Sequence, residues 1–245
     1  MYEEGLTARK IATFDTAIFN AYREWESTWD WDPASHLRRY LRNDETHLIY
    51  LPVSKARCLG FAMLMTGYPP GIWTLWADII QPILETHIVP QLGIDDPIIV
   101  QADIARMRPL VGDTKLHTDT RYNQRYARRY NIAISTNNNC WLYHHGYDLN
   151  TGGMRDHICE GEVWELNNKI PHTAVNHGDT WRTHLIVDVM PRNYWERMCE
   201  LYDPYAKVPN PMARYWTYDI DLNGKLIHEP LFDDLPHCFS ARTLE

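Results

Sequence analysis

Pro171-His172-Thr173-Ala174-Val175-Asn176 and then Thr180-Trp181-Arg182-Thr183-His184-Leu185-Ile186-Val187-Asp188 form the stretch whose reading decides the fold. Both runs are rich in β-branched and apolar residues, and Gly178-Asp179 lies between them, which predicts two strands joined by a turn. Alternate residues of a strand share a face. Arg182, His184, Ile186 and Asp188 therefore fall on one face, and Leu185, Val187 and Val189 on the other. An arginine turned into a β core is unfavourable unless it meets an anion. Its planar fork suits a carboxylate bidentately. The structural alternative is a buried ion pair between Arg182 and Asp188 or Glu165.

Working outward, further strands are expected at 98–107, 128–136, 141–145 and 161–166, separated by Gly, Asn, Asp or Pro. Strands at this spacing, with no helices between them, predict an antiparallel sandwich or barrel. Before residue 95 the pattern is helical. Phe14, Ile18, Ala21, Tyr22 and Trp25 recur at helical steps, as do Trp76, Ile79, Ile80, Ile83, Leu84, His87 and Ile88, with Pro82 expected to kink the second helix. A short helix is expected over 34–42 after Asp32-Pro33, another over 193–202, and a hairpin over 218–227 around Asn223-Gly224. The expected organisation is one integrated domain: a helical layer over 1–95, a β core over 96–192 and a helix-and-hairpin extension over 193–245.

Composition narrows the function classes. The chain has 245 residues and a net charge of −8, from 24 Lys+Arg and 32 Asp+Glu, which disfavours a nucleic-acid partner. Ten Trp and fifteen Tyr are too many for a disordered chain. The apolar stretch 71–92 carries Asp78, Pro82, Glu85 and Pro90, so no membrane span is expected. The acidic start lacks the pattern of a secretory signal. Five scattered Cys without a CxxC read as reduced thiols, and the expected location is the cytoplasm. The oligomeric state is not legible.

Chemistry enters with Leu116-His117-Thr118-Asp119. His117 and Asp119 are two apart and can offer an imidazole and a carboxylate to one metal ion. His172, from a remote strand, supplies a third ligand. Two His and a carboxylate on one face make the facial triad of non-haem Fe(II) oxygenases, although zinc hydrolases use the same donors. Arg182 tips the balance, because a dicarboxylic 2-oxo acid would chelate iron at one end and meet the guanidinium at the other.

Gly161-Glu162-Val163-Trp164-Glu165-Leu166-Asn167-Asn168, Pro171-His172, Val175-Asn176 and the Arg182–Asp188 run resemble the aspartyl/asparaginyl β-hydroxylase family. Arg106-Met107-Arg108-Pro109 ahead of His117-Thr118-Asp119 resembles its first half. The resemblance covers roughly residues 97–190 and implies a mainly β, double-stranded β-helix (jelly-roll, cupin-like) fold. It implies an Fe(II)- and 2-oxoglutarate-dependent dioxygenase that uses O2 to hydroxylate an unactivated C–H of an amino acid, free or within a peptide, yielding succinate and CO2. His117, Asp119 and His172 match the iron ligands, and Arg182 matches the arginine for the distal carboxylate of 2-oxoglutarate. Arg129, with Arg128 as the alternative, matches a second co-substrate arginine. Asn131 stands where the family often has His. His184 faces inward nearby, as a hydrogen-bonding neighbour of the co-substrate or a substrate contact. Arg121 and Arg125, among Tyr122 and Tyr126, are candidates to clamp a carboxylate-bearing substrate. Of the adjacent pair His144-His145 only one can line the pocket, and His145 is taken as the candidate. The competing expectations are a jelly-roll metal-binding or sensing protein and a zinc-dependent hydrolase.

Overall fold

Strand pairing sorts the chain into two antiparallel sheets. The structure is a computed structural model that describes residues 7–29, 58–65, 75–114, 116–117, 127–146, 153–168 and 170–201. Its strands are β1 (Ala8–Thr13), β2 (Cys58–Met65), β3 (Pro97–Met107), β4 (Gly112–Asp113), β5 (Arg128–Ser135), β6 (Cys140–His144), β7 (Met154–Asp156), β8 (Glu162–Leu166), β9 (His172–Asn176) and β10 (Arg182–Pro191). One sheet has the order β1-β8-β5-β10-β3-β2 and the other β4-β9-β6-β7. This is the mainly β, jelly-roll arrangement that the strand pattern predicts.

Alternation divides the six-stranded sheet cleanly. On its outer face Ala102, Ile104, Tyr130, Ile132, Ile134, Val163, Leu185, Val187 and Val189 form one buried apolar cluster. Phe19 and Tyr22 of the N-terminal helical segment cover this face, together with Leu75, Trp76, Ile80, Leu84 and Ile88. Each fully buried aliphatic side chain of this kind contributes about 1.5–3 kcal/mol, so this layer holds the helices against the sheet. Between the sheets lies a smaller cluster: Met107, Ala133, Leu142, Ile158, Leu166 and Ala174.

The helical expectation before residue 95 holds in part. A helix spans Asn20–Thr28, entered through a short 3-10 turn, Thr16–Phe19, whose Ala17 amide is capped by the Asp15 side chain at 2.9 Å. The second helical stretch, residues 75–91, is irregular: wide π-type turns over Leu75–Ile80 and Leu84–Ile88 flank a short α-helical turn, Gln81–Ile83. Pro82 cannot donate to the helical ladder, which accounts for the departure from regular α geometry. The same region also supplies two strands the periodicity does not reveal. β1 pairs with β8 and β2 with β3, so the N-terminal part extends both edges of the sheet as well as covering it. The Gly161 turn lets β1 approach: its φ is +81°, a Cβ there would meet the Phe14 carbonyl oxygen at 3.0 Å, and Phe14 N–H donates to the Gly161 oxygen at 2.8 Å.

The helix expected over 193–202 forms as Arg192–Leu201. The helix expected over 34–42 and the hairpin around Asn223-Gly224 lie outside the described residues. So do Asp119, Arg121 and Arg125. Among the described residues no helix is long and apolar enough to cross a membrane.

Candidate metal and co-substrate site

The four-stranded sheet carries the imidazoles. His117 and His172 face each other across an antiparallel bridge: His117 N–H donates to the His172 oxygen at 3.0 Å and the reverse bond is 2.8 Å. Directly opposed residues share a face, and the two rings lie with centroids 4.5 Å apart. Residues far apart in sequence are thereby brought to one spot on neighbouring strands. The His172 ring is also oriented. Its Nδ1 lies 3.0 Å from the Ile170 carbonyl oxygen, which can only accept, so Nδ1 carries the proton and Nε2 keeps its lone pair. A histidine fixed in that tautomer is ready to ligate a metal through Nε2. Among the described residues no group of three His, Cys, Asp or Glu gathers closely enough to hold a metal ion.

The facing sheet carries the cations. Arg182 is 5% exposed; its Nη1 lies 3.2 Å from Met107 Sδ and its Nη2 donates to His184 Nδ1 at 2.8 Å. Both carboxylates weighed as structural partners for Arg182 are engaged by other arginines. Asp188 accepts from Arg129 Nε at 2.7 Å and Nη2 at 2.8 Å, in a buried bidentate pair. Glu165 accepts from Arg9 at 2.8 Å and from Arg128 at 2.6 Å. Burial alone would raise the Glu165 carboxyl, but the bonds from Arg128 and Arg9 outweigh it and hold the group below its ordinary value.

Register settles which arginine of the pair at the start of β5 faces inward. Arg129 lies opposite Asp188 and Asn131 opposite Ile186, on the Arg182/His184 side; Arg128 lies opposite Val189, on the outer face. The inward choice of Arg129 and Asn131 follows the alternation, and Arg128 is turned away with Glu165. The histidine pair on β6 resolves against the expectation. His144 is fully buried and lies opposite His172. His145 has left the strand with φ +60° and is exposed. Strand alternation separates the two and puts His144 on the face it shares with Cys140 and Leu142; the inward place belongs to His144.

His184 does more than support Arg182. An arginine can only donate, so the His184 Nδ1 that receives Arg182 is an acceptor and Nε2 carries the proton. That Nε2 is buried without a hydrogen-bond partner. Burial first, then the charges of Arg182 and His157, hold the ring well below its ordinary pKa, so it is neutral. Arg182 and His184 thus place a guanidinium and an orphaned N–H donor on one inner face. They stand at the end of the barrel where Asn176 Nδ2 donates to the Met107 oxygen at 3.2 Å and ties the sheets together. Asn176 is four residues from His172 on the same face of β9, roughly 13 Å along the strand.

Residues 91–191 match the family model described as aspartyl/asparaginyl beta-hydroxylase. This segment resembles the aspartyl/asparaginyl β-hydroxylases. The match spans β3 through β10, and with it come a non-haem iron oxygenase activity and a requirement for Fe(II), 2-oxoglutarate and O2. Among solved structures, AviO1 from Streptomyces viridochromogenes is similar at 14% identity over 75% of this chain and 89% of its own, with a TM-score of 0.51. HygX from Streptomyces hygroscopicus, with nickel and 2-oxoglutarate bound, is 9% identical over 75% of this chain and 82% of its own, with a TM-score of 0.48. A 2OG-Fe(II) oxygenase family protein from Burkholderia pseudomallei is 14% identical over 66% of this chain and 91% of its own, with a TM-score of 0.43. No curated protein sequence matches the chain.

The residues of this segment fit the iron and co-substrate. A pre-oriented imidazole beside a second one is the donor chemistry Fe(II) needs. A buried guanidinium with an orphaned N–H beside it is a site for a carboxylate.

Proposed function

We propose that the protein hydroxylates an amino acid, free or within a peptide, with His117, His172 and Asp119 as the iron ligands. Bound Fe(II) supplies the O2 chemistry, in which 2-oxoglutarate is oxidised to succinate and CO2 while one oxygen atom enters an unactivated C–H bond of the substrate. The chain's own residues do the placing. Ile170 orients the His172 ring through Nδ1, which would leave Nε2 to hold the iron. Arg182 pairs with the distal carboxylate of 2-oxoglutarate, and the His184 Nε2–H supplies a second donor to the same group. Arg129, paired bidentately with Asp188, stands on the same inner face beside Asn131. Arg121 and Arg125 are assigned to a carboxylate of the substrate.

The observation that carries this reading is the cross-strand His117–His172 pair facing a sheet with Arg182 buried on its inner side. Anaerobic addition of Fe(II) and then 2-oxoglutarate tests it. A weak visible charge-transfer band, followed by succinate release on admitting air, is expected. Absence of both sinks the oxygenase reading and leaves a zinc hydrolase or a sensing protein.

A further inference from the structure

The Asn20–Thr28 helix does more than cover the six-stranded sheet. Phe19 and Tyr22 already hold it there through apolar contact. It also carries Arg23 and Glu26, which are three residues apart and share a helix face. Both reach the end of the sheet where Arg182 lies. There the ladder between β5 and β10 breaks step: Ser135 stands opposite Thr183 and Ala133 opposite His184, so Ile134 is an extra residue in β5. A bulge of this kind bends its strand and re-aims the side chains beside it. The Ile134 carbonyl oxygen accepts from Arg23 Nη2 at 2.9 Å, and the same guanidinium donates to the Thr16 oxygen at 2.7 Å and to Glu160 Oε1 at 2.9 Å. Glu26 Oε1 accepts from the Thr183 hydroxyl at 2.8 Å, and Thr183 N–H donates to Ser135 Oγ at 3.2 Å.

Arg182 thus sits between two residues that are each held from the outer face. Thr183, 1% exposed, is bonded to Glu26. Trp181 lies under the Arg106 guanidinium, 4.4 Å from the ring centroid, and Arg106 Nε is 3.4 Å from Glu26 Oε1. Alternation turns Trp181 and Thr183 outward and Arg182 inward. The outer contacts therefore set the backbone from which the Arg182 side chain projects. A hydrogen-bonded pair in an apolar layer stabilises little more than apolar side chains of the same shape, but it fixes distance and direction. We infer that Glu26 and Arg23 are positioning residues for the co-substrate: gripping Thr183 and the bulge from outside, they aim Arg182 and His184 and so set the affinity for 2-oxoglutarate. The inference rests on the oxygenase reading, with Arg182 as the partner of the distal carboxylate, and it brings into that site a helix outside residues 91–191.

The test separates co-substrate affinity from folding and from iron binding. Thr183→Val keeps the shape and removes the hydroxyl, Thr183→Ser keeps the hydroxyl, Glu26→Leu removes the acceptor, and Arg23→Met uncaps the Ile134 carbonyl. Each protein is loaded with Fe(II) without O2 and titrated with 2-oxoglutarate on the charge-transfer band. Metal analysis gives the iron content and denaturant unfolding the stability. Thr183→Val, Glu26→Leu and Arg23→Met should each raise the 2-oxoglutarate Kd by about 3- to 30-fold. Iron content should stay unchanged, and succinate release under air should recover at saturating 2-oxoglutarate. Thr183→Ser should bind 2-oxoglutarate like the wild type. The double change of Thr183→Val with Glu26→Leu should be little worse than Glu26→Leu alone, because both break the same bond. A folded Thr183→Val protein with the wild-type Kd overturns the inference, whatever its stability, and so does a Thr183→Ser protein as impaired as Thr183→Val. If Glu26→Leu does not fold, the two Thr183 variants decide. A wild type that shows no band fails the oxygenase reading and this inference with it. A wild type with the band and an unaltered Kd in Thr183→Val fails this inference alone.

Discussion

The two inner faces of the barrel are built from different chemistry. The four-stranded sheet contributes imidazoles in a row, with His172 held by a backbone carbonyl. The six-stranded sheet contributes arginines, each held by a side chain: Arg182 against His184 and Arg129 against Asp188. The contrast follows from what each ligand needs. A metal ion takes neutral lone pairs in a fixed direction, which short side chains on paired strands provide. A dicarboxylate needs charge at a distance from the metal, and a buried charge survives only if its remaining hydrogen-bonding atoms are occupied. Metal binding, anion binding and folding should therefore separate under mutation.

His172→Ala should give the largest effect. Iron retention falls to near zero and 2-oxoglutarate-dependent turnover with it, while the fold persists; a variant that still holds stoichiometric iron by metal analysis assigns the ligand wrongly. Asp188→Ala should act on folding, because it strands the buried Arg129 charge. A loss of about 3–5 kcal/mol is expected in denaturant unfolding. The double change Arg129→Met with Asp188→Leu should regain much of it, and failure to do so would mean the pair does more than neutralise itself. Arg182→Ala should raise the 2-oxoglutarate Kd by about 30- to 1000-fold with iron content nearly unchanged. An unaltered Kd removes Arg182 from the co-substrate site.

Smaller effects follow pH. His184 has a lowered pKa in the fold, so the unfolded chain takes up its proton first as pH falls. Stability should begin to decline below about 6.5, the ordinary value of the group. Glu165 has a lowered carboxyl pKa, so its contribution is complete above about 4.5 and lost as pH falls through its folded value. Chemical denaturation from pH 8 to 3, on the wild type and His184→Gln, separates the two; identical curves between pH 7 and 5 would remove the His184 part. The smallest change is expected at the rim. Lys10→Ala removes a bond of 2.6 Å to Glu162 at a half-exposed site and should alter stability by no more than about 1 kcal/mol.

Strand alternation made much of this legible. It turned Arg182 and His184 inward and Leu185 and Val187 outward, and it chose Arg129 over Arg128. The jelly-roll core was readable because six of its strands are β-branched or aromatic runs bounded by turn residues. Other elements left no such signal. β4 is two residues long and β7 three, too short for a period. β1, Ala-Arg-Lys-Ile-Ala-Thr, lies on a sheet edge with mostly half-exposed side chains, so its sequence carries no apolar run. The inward place of His144 follows from the face it shares with Leu142, which the sequence of β6 does not announce because the other face carries the large aromatics Trp141 and Tyr143. The Asp156 side chain beside it comes from a strand that the sequence does not announce.

The pairing of β1 with β8 has a bearing on how the protein is made. Arg9 meets Glu165 across 156 residues of chain, and no strand nearer in sequence pairs with β1 among the described residues. During synthesis β1 must wait for β8, whose Glu165 follows Arg9 by 156 residues, since loop closure of that length comes late. For that interval Ala8–Thr13 is an unpaired edge segment open to other chains. Its central Arg9-Lys10 are the kind of charge that discourages intermolecular strand addition. The same two side chains that later bind Glu165 and Glu162 thus act first as a guard on the nascent protein.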